Sequence, residues 1–226
     1  MALTNYKLIR GAVSAELCEF LSNYLSLKKE VYKTMAKEDY MSLAVDTGTF
    51  DDKQVPGAYS IYGDPVFDVL LSKVLPIMCK ETSMELIPAY SYVRSYSKGQ
   101  ELKKHTDRTS CTVSTTLNIG GDPWPIYFLL NEGWYLNKKN NFKGIKEKKV
   151  RVDLKPGDMV IYQGKRIPHW RDAFKGRYCN QVFLHYNDKE KRDRLYDDRP
   201  HLGLSANFKL ARQFKLALKD QQIIYL

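Results

Sequence analysis

His105 and Asp107 are residues whose types and spacing could do chemistry together. The chain has four histidines and 26 acidic residues among 226, so about half of one His-x-Asp/Glu motif is expected by chance and the motif alone is weak. Its context adds weight, because "KKHTDRTS" directly precedes "CTVSTTLNI", which has the composition of a strand. Side chains two apart on a strand point to the same face. We therefore expect an imidazole and a carboxylate to enter one β interior together.

A second imidazole would complete a metal site. Mononuclear iron(II) oxygenases hold their metal with two histidines and one carboxylate on one face, and leave the opposite positions open. His169 is the candidate for the third ligand, because it stands at the start of a strand that follows "MVIY". The alternatives are an ordinary surface pair for His105 and Asp107, and a buried structural role for His169. His185 is interpreted as structural and His201 as exposed.

The surrounding segments predict a β core with helices around it. Residues 14–28 place apolar side chains on one helical face behind an N-cap at Ser14. A second helix opens at Asp64-Pro65, and Pro76 should kink or shorten it. Residues 36–63 between them form a long polar loop of the kind that often acts as a lid. From residue 86 onward, short segments rich in Tyr, Val, Ile, Thr and Phe alternate with turn residues. The predicted fold class is mostly β with flanking helices around a two-sheet barrel or sandwich.

The whole chain, residues 1–226, is predicted to be one domain. Residues 1–85 are its helical N-terminal support, 86–186 its β core, and 187–226 a charged tail with a helix near 205–219. No apolar run approaches a membrane span and the N-terminus lacks a secretory pattern, so a cytoplasmic location is expected. The four cysteines are widely spaced without a C-x-x-C motif, which indicates reduced thiols rather than a zinc site or disulfide framework.

The net charge of +10 is the unusual bulk property of this chain. Such a charge is compatible with a nucleic acid, an anionic membrane or an acidic protein as partner, or with a role in solubility alone. Residues 138–149 carry six lysines, which are interpreted as a solvated hairpin, with a second role as a substrate loop left open. No run of basic residues interleaved with aromatics stands beside the candidate metal ligands, as a nucleic-acid stacking platform would require.

The combined pattern resembles the 2-oxoglutarate/iron(II)-dependent dioxygenases, and within them the prolyl-4-hydroxylase-like group. The resemblance covers residues 86–186 and rests on "YVRSYSKGQELKKHTD", "TTLNIGG", "PGDMVIY", and on His169 followed by a basic residue near the next strand. The 64 residues from His105 to His169 suit that family. The resemblance implies a double-stranded β-helix of the jelly-roll or cupin-like type, braced by N-terminal helices.

The resemblance also implies a set of ligands. His105, Asp107 and His169 would hold Fe(II), with 2-oxoglutarate and O2 at the open positions and ascorbate as a further cofactor. The far carboxylate of 2-oxoglutarate needs a cation, ideally a guanidinium. In the family this cation lies on the strand after the distal histidine, with a tyrosine hydroxyl nearby, which indicates Arg177 and Tyr96.

Two other arginines are alternatives for binding the 2-oxoglutarate carboxylate, and the roles of two residues after His169 are left open. Arg94 shares a strand face with Tyr96, and Arg108 directly follows the His-x-Asp motif, so either could bind the carboxylate instead of Arg177. Trp170 and Arg171 follow the third ligand and could line the substrate mouth, with simple packing as the alternative for Trp170.

Three functions follow from these features. The leading one, implied by the resemblance, is hydroxylation of a protein or peptide side chain, proline in the first place, with release of succinate and CO2. The second is a dioxygenase or demethylase acting on nucleic acid, which the net charge favours slightly. The third is a jelly-roll protein that binds a partner without turnover, and the complete ligand triad argues against it. The oligomeric state is left open.

Overall fold

The computed structural model describes residues 6–38, 47–108, 111–136, 142–190 and 192–204, and the side chains of these apart from 132–146 and 192–194. Two helices, α1 (Ala15–Lys37) and α2 (Pro65–Thr82), accompany ten strands. The strands are β1 (Tyr6–Ile9), β2 (Tyr59–Tyr62), β3 (Leu86–Ser97), β4 (Leu102–His105), β5 (Val113–Gly121), β6 (Ile126–Leu136), β7 (Phe142–Val152), β8 (Met159–Tyr162), β9 (His169–Arg171) and β10 (Tyr178–Asp188).

The strands form two antiparallel sheets that share an interior. The large sheet has the order β1-β8-β5-β10-β3-β2 and the small sheet the order β4-β9-β6-β7. Apolar side chains of both sheets meet between them: Val160 and Tyr162 of the large sheet pack with Ile126 and Phe128 of the small one. This is the jelly-roll core that the sequence predicted.

Both helices brace the outer face of the large sheet. Leu21 of α1 and Leu71 of α2 are buried in one cluster with the sheet residues Val93, Leu117 and Val182. Each helix begins where the sequence predicted. The Ser14 side chain accepts a hydrogen bond from the Leu17 N–H, and the Asp64 side chain does the same for Val66.

Side chains of β10 point alternately to the helices and into the barrel, so every second residue of this strand lines the interior. Val182 and Leu184 belong to the cluster under the helices, whereas Cys179 and Phe183 belong to a cluster inside the barrel. Because strand side chains alternate, His185 also points into the barrel, where Ser114 of β5 meets it.

The N-terminal support differs from the prediction in three respects. Helix α1 runs to Lys37 rather than stopping at residue 28, and Pro76 does not end α2. A buried face around Val74 and Met78 carries α2 past the hydrogen bond that proline removes. The segment 1–85 is also not only helical, since β1 and β2 lie at the two edges of the large sheet.

Several predictions concern residues outside the described ranges. These are the helix near 205–219, the middle of the loop 36–63, and the tip of the lysine-rich segment 138–149. Within the described ranges, neither helix combines the length and apolarity needed to cross a membrane.

Candidate metal centre and its cavity

The side chains of His105, Asp107 and His169 converge inside the barrel. Strands β4 and β9 pair with the two histidines directly opposite each other, and the Asp107 N–H donates to the Gly164 carbonyl at 2.9 Å. Asp107 Oδ1 lies 3.5 Å from His169 Nε2 and 3.7 Å from His105 Nε2. Ligand atoms of all three residues lie within 4.8 Å of one another. The fold therefore brings together the three residues that the sequence selected.

The orientation of the two imidazoles suits a bound cation. His105 Nδ1 lies 2.8 Å from the Lys103 carbonyl oxygen, and His169 Nδ1 lies 2.9 Å from that of Ile167. A carbonyl oxygen only accepts, so Nδ1 carries the ring proton in both histidines. Each Nε2 then turns a lone pair toward Asp107. Metal-binding histidines are fixed in this way by hydrogen bonds from their other nitrogen.

The charges around the triad favour the protonation states that metal ligands require. Burial alone would raise the pKa of Asp107, but the neighbouring His169 and His185 and the hydrogen bond from the Ser114 hydroxyl outweigh it and hold that pKa well below its usual range. Burial and the nearby His169 lower the pKa of His105. An ionised carboxylate beside neutral imidazoles is the state in which this donor set binds a metal.

Gly164 makes room for the carboxylate. A Cβ at this position would overlap Asp107 Oδ2 and would lie 2.6 Å from Ser114 Oγ. Only glycine lets the backbone approach Asp107 closely enough to accept its N–H. The sequence analysis did not select Gly164, because the pattern "YQGK" shows a turn but not what the turn approaches.

A cavity of about 660 Å³ adjoins the triad. His105, Asp107 and His169 line it, together with apolar residues that include Leu102 and Phe183. This volume matches that of sites for small molecules. The candidate metal site therefore faces a space large enough for a small molecule.

Arg177 does not belong to this cavity, which corrects its prediction as the 2-oxoglutarate anchor. Its side chain is 86% exposed and faces Asp122, with Nε 3.9 Å from the carboxylate. The residue precedes β10, which begins at Tyr178, so its side chain is not aligned with the inward positions of the strand. The spacing from His169 identified the following strand but not the residue on it that points inward.

The two rival arginines line the cavity, but each already holds a carboxylate. Arg94 is 6% exposed and its Nε donates to Asp52. Arg108 donates from Nη2 to Asp197 at 2.6 Å. Their charges are therefore balanced within the protein, which weakens both as anchors for a further anion.

Arg171 is a buried guanidinium without a carboxylate partner among the described residues. It is 1% exposed on β9, and its side chain donates to the Trp124 carbonyl and, from Nη2, to Gln181 Oε1 at 3.1 Å. Its Nε is buried without a hydrogen-bond partner. Burial lowers the pKa of Arg171, because solvent no longer stabilises its charge. Such a site attracts an anion, since an unpaired buried charge is unfavourable.

The position of Arg171 also differs from the expectation that it lines the substrate mouth. His169 and Arg171 are two residues apart on one strand, so their side chains enter the same barrel with their Cα atoms about 6.6 Å apart. Arg171 lies on the inner side, opposite Leu102 of β4. The alternation rule could have found this residue, because it needs only the position of His169 on a strand.

Tyr96 lies between two of these arginines. It is fully buried with its ring against Trp124 at a centroid distance of 4.7 Å. Its hydroxyl is 3.4 Å from Arg94 Nη1, and the Arg171 guanidinium lies over the same Trp124 ring, 5.1 Å from its centroid. The predicted tyrosine is thus inside the barrel, next to the unpaired guanidinium.

The mouth of the cavity carries a strained turn. Tyr196, Asp197 and Asp198 adopt φ values of +54°, +56° and +64°, a left-handed conformation that costs roughly 1–2 kcal/mol per residue. Hydrogen bonds from Tyr62 and Arg108 to Asp197, both 2.6 Å long, hold the turn in place. The strain fixes a carboxylate at the rim of the cavity.

The outer face of the small sheet joins aromatic and basic side chains that are distant in the sequence. Trp170 stacks on Tyr127 with ring centroids 5.6 Å apart. Lys149 Nζ lies 4.1 Å from the Tyr127 ring and Lys104 Nζ lies 5.1 Å from the Trp170 ring. The sequence shows no run in which basic and aromatic residues alternate near the metal ligands. The fold nevertheless brings such residues together in space. This cluster of four residues is called the Trp170 patch below.

Burial of His185 makes the protein sensitive to acid. Burial lowers the pKa of His185 to about 4, and nearby Arg108 and His169 add to this, while Asp107 and Asp197 oppose it. An unfolded histidine has a pKa of about 6.5. Between these values the unfolded state binds more protons, so stability falls as the pH decreases from 6.5 to 4. The His185 contribution amounts to about 3 kcal/mol over this interval.

This acid sensitivity can be measured by urea unfolding at pH 7, 5.5 and 4.5. We expect His185→Asn to lose less free energy of unfolding than the wild type between pH 7 and 4.5. His105, whose pKa burial also lowers, contributes with the same sign in both proteins and cancels in the comparison. Equal losses in the two proteins would contradict the assignment.

No family model matches this chain, and no curated protein is detectably similar in sequence. Solved structures do match. A prolyl-4-hydroxylase from Pseudomonas putida is 13% identical with a TM-score of 0.54, over 82% of this chain and 94% of that one.

Two further solved structures match with similar TM-scores. The non-heme alpha-ketoglutarate-dependent epimerase SnoN of nogalamycin biosynthesis is 13% identical with a TM-score of 0.57, over 82% of this chain and 79% of its own. HygX from Streptomyces hygroscopicus, with nickel and 2-oxoglutarate bound, is 15% identical with a TM-score of 0.56, over 82% and 84%. At these identities the shared property is the fold. The chain shares the double-stranded β-helix fold of these three structures, which confirms the fold that the family resemblance implied.

Proposed function

We propose that the protein is an iron(II)- and 2-oxoglutarate-dependent dioxygenase. The observation that carries this proposal is the convergence of His105 Nε2, His169 Nε2 and Asp107 Oδ1 beside a cavity. Two imidazoles and one carboxylate on one side of a metal are the donor set of non-haem iron(II) oxygenases. The fold is shared with an alpha-ketoglutarate-dependent epimerase and with a protein that has 2-oxoglutarate bound, which supports a metal that chelates this cosubstrate.

The bound iron and 2-oxoglutarate would supply the oxidation, with O2 as oxidant and succinate and CO2 as products. The protein contributes the rest. His105, Asp107 and His169 hold the metal from one side and leave its cavity side open. Leu102 and Phe183 line the inner wall and exclude water, which strengthens the electrostatic interactions inside.

Arg171 is proposed as the residue that binds the far carboxylate of 2-oxoglutarate. Its guanidinium is unpaired within the described residues, and an anion there offsets the cost of burying its charge. It lies on the same strand and the same face as His169, and opposite Leu102, which lines the cavity. Tyr96 lies beside it and Gln181 already orients it through Nη2.

The substrate is proposed to be a side chain of a protein or peptide, proline among them. Two observations support this class. The P. putida structure, a prolyl-4-hydroxylase, shares the fold over most of both chains, and the cavity opens at a rim formed by Asp197 and Arg108. The rim offers charged and hydrogen-bonding groups to a peptide backbone.

A nucleic-acid substrate is the second candidate. The Trp170 patch favours it, because stacked rings flanked by lysines are the elements of a single-strand platform, and Trp170 directly follows His169. Binding of a single-stranded oligonucleotide that weakens with salt and is lost in Lys104→Glu/Lys149→Glu would support this candidate over a peptide.

Anaerobic titration tests the proposed cofactors. We expect the purified protein to bind Fe(II), and the further addition of 2-oxoglutarate to produce the weak visible charge-transfer band of the chelate. Succinate release after O2 is admitted provides the second readout. A folded protein that gives no band and no succinate at saturating Fe(II) and 2-oxoglutarate would contradict the proposal.

A further inference from the structure

A buried hydrogen-bond chain leads from Asp107 to the cavity through two residues. Ser114 Oγ lies 2.7 Å from Asp107 Oδ2 and 3.0 Å from His185 Nδ1. Ser114 is completely buried and His185 is 5% exposed. The chain reaches Oδ2, the oxygen that does not face the two imidazoles, and leaves Oδ1 free to bind the metal.

The direction of each hydrogen bond follows from elementary chemistry. A metal-binding carboxylate is deprotonated and can only accept, so the Ser114 hydroxyl donates to Asp107. Its single proton is then used, and Ser114 Oγ must accept from His185. His185 therefore carries its proton on Nδ1, and Nε2 keeps a lone pair.

The surroundings of His185 hold this ring in place. The Tyr90 ring stacks on it with centroids 4.3 Å apart and planes 25° apart, and His185 lines the cavity. Within the described part of the chain, no group lies within hydrogen-bonding distance of His185 Nε2 as a donor. The free nitrogen is thus available to whatever occupies the cavity.

We propose that Ser114 and His185 are positioning residues of the metal centre. They hold Asp107 through Oδ2, which leaves Oδ1 turned toward the two imidazoles where it would hold the metal, and they present His185 Nε2 to the cavity as an acceptor. The proposal rests on the proposed function, since it concerns the same metal site.

The acceptor at Nε2 restricts the substrate. A group that docks against it must donate a hydrogen bond, as an amide, amine or hydroxyl does. A prolyl nitrogen within a peptide has no hydrogen, so a prolyl substrate would have to supply this donor from a neighbouring residue. The same lone pair disfavours a purely apolar group at this place, because it would leave a buried acceptor unpaired.

Matched substitutions separate the hydrogen-bond chain from simple packing. Asparagine at 185 can donate from the place of Nδ1, whereas glutamine extends toward the place of Nε2. Threonine at 114 keeps the hydroxyl and alanine removes it. The readout is the affinity for Co(II) in the full-length protein, followed by its visible ligand-field bands.

We expect Ser114→Ala and His185→Gln to weaken Co(II) binding by about tenfold or more and to change the bands, as loss of groups that orient metal ligands does. Ser114→Thr and His185→Asn should stay near the wild type. Equal affinities and bands for Ser114→Ala and the wild type, with both folded, would overturn the proposal, as would equal effects of Asn and Gln at position 185.

Nitrogen NMR of the wild-type protein tests the tautomer independently of any variant. We expect His185 to have a proton bonded to Nδ1 and none to Nε2, and a proton on Nε2 would overturn the proposal. Failure of the proposed function is distinguishable, because in that case the wild type itself would bind no Fe(II) or Co(II).

Discussion

Replacement of His169 by alanine is expected to abolish the charge-transfer band of the Fe(II) and 2-oxoglutarate complex. His169 is 2% exposed and its Nε2 is one of three atoms that converge on the metal position. A remaining histidine and carboxylate hold a divalent ion weakly, so we expect the affinity for Fe(II) to fall by more than about 100-fold, beyond the range seen for residues that only orient ligands. Anaerobic titration, followed at the band and by metal content after dialysis, measures the loss.

The exposed His201 provides a matched control for this experiment. His201→Ala should give the wild-type band and the wild-type metal content. Circular dichroism and thermal unfolding of both variants exclude a loss of fold as the cause. A His169→Ala protein that keeps the band would show that the metal lies elsewhere.

Replacement of Arg171 by methionine is expected to have two effects of opposite sign. The affinity for 2-oxoglutarate should fall by about 30-fold or more, because truncating one partner of a buried charge pair costs about 2 kcal/mol or more. The stability of the protein without 2-oxoglutarate should stay the same or rise, since an unpaired buried charge is replaced by an apolar side chain of similar length. Fe(II) affinity should change little.

Arg177 and Arg94 serve as controls, because their replacement is expected to affect 2-oxoglutarate affinity and stability differently. Arg177→Met should leave 2-oxoglutarate affinity unchanged, because this side chain is exposed. Arg94→Met should lower stability, since it leaves Asp52 buried without its guanidinium. If Arg94→Met or Arg177→Met loses 2-oxoglutarate affinity while Arg171→Met keeps it, Arg171 is not the anchor.

The convergence of His105, Asp107 and His169 could be predicted because residue type and short spacing are local signals. The expected strand alternation does not apply to the first pair, because His105 is the last residue of β4 and Asp107 follows the strand. The hydrogen bond from the Asp107 N–H to the Gly164 carbonyl holds this segment instead. His169 required the further step of recognising a later strand and the family resemblance. In each case the residue type and a short spacing carried the information.

The anchor for 2-oxoglutarate could not be chosen in the same way. Its prediction at Arg177 depended on where a strand begins, and β10 starts one residue later. The inward positions of that strand carry Cys179 and Gln181 instead. Arg177 has the same parity as these inward positions, but it lies before the first paired residue of β10, so strand alternation does not extend to its side chain. Where a strand begins depends on its pairing with neighbouring strands.

The sequence by itself determined the β core, the helices beside it and the three ligand types, because hydrophobic alternation and residue chemistry are local properties. Only the tertiary structure decided that Asp52 neutralises Arg94, that Gly164 makes room for Asp107, and that His185 reaches Asp107 through Ser114. Ser114 is 7 residues from Asp107 and 71 from His185 in the chain, and Asp52 is 42 residues from Arg94. No local pattern specifies such contacts, because they depend on which strands become neighbours and in which register they pair.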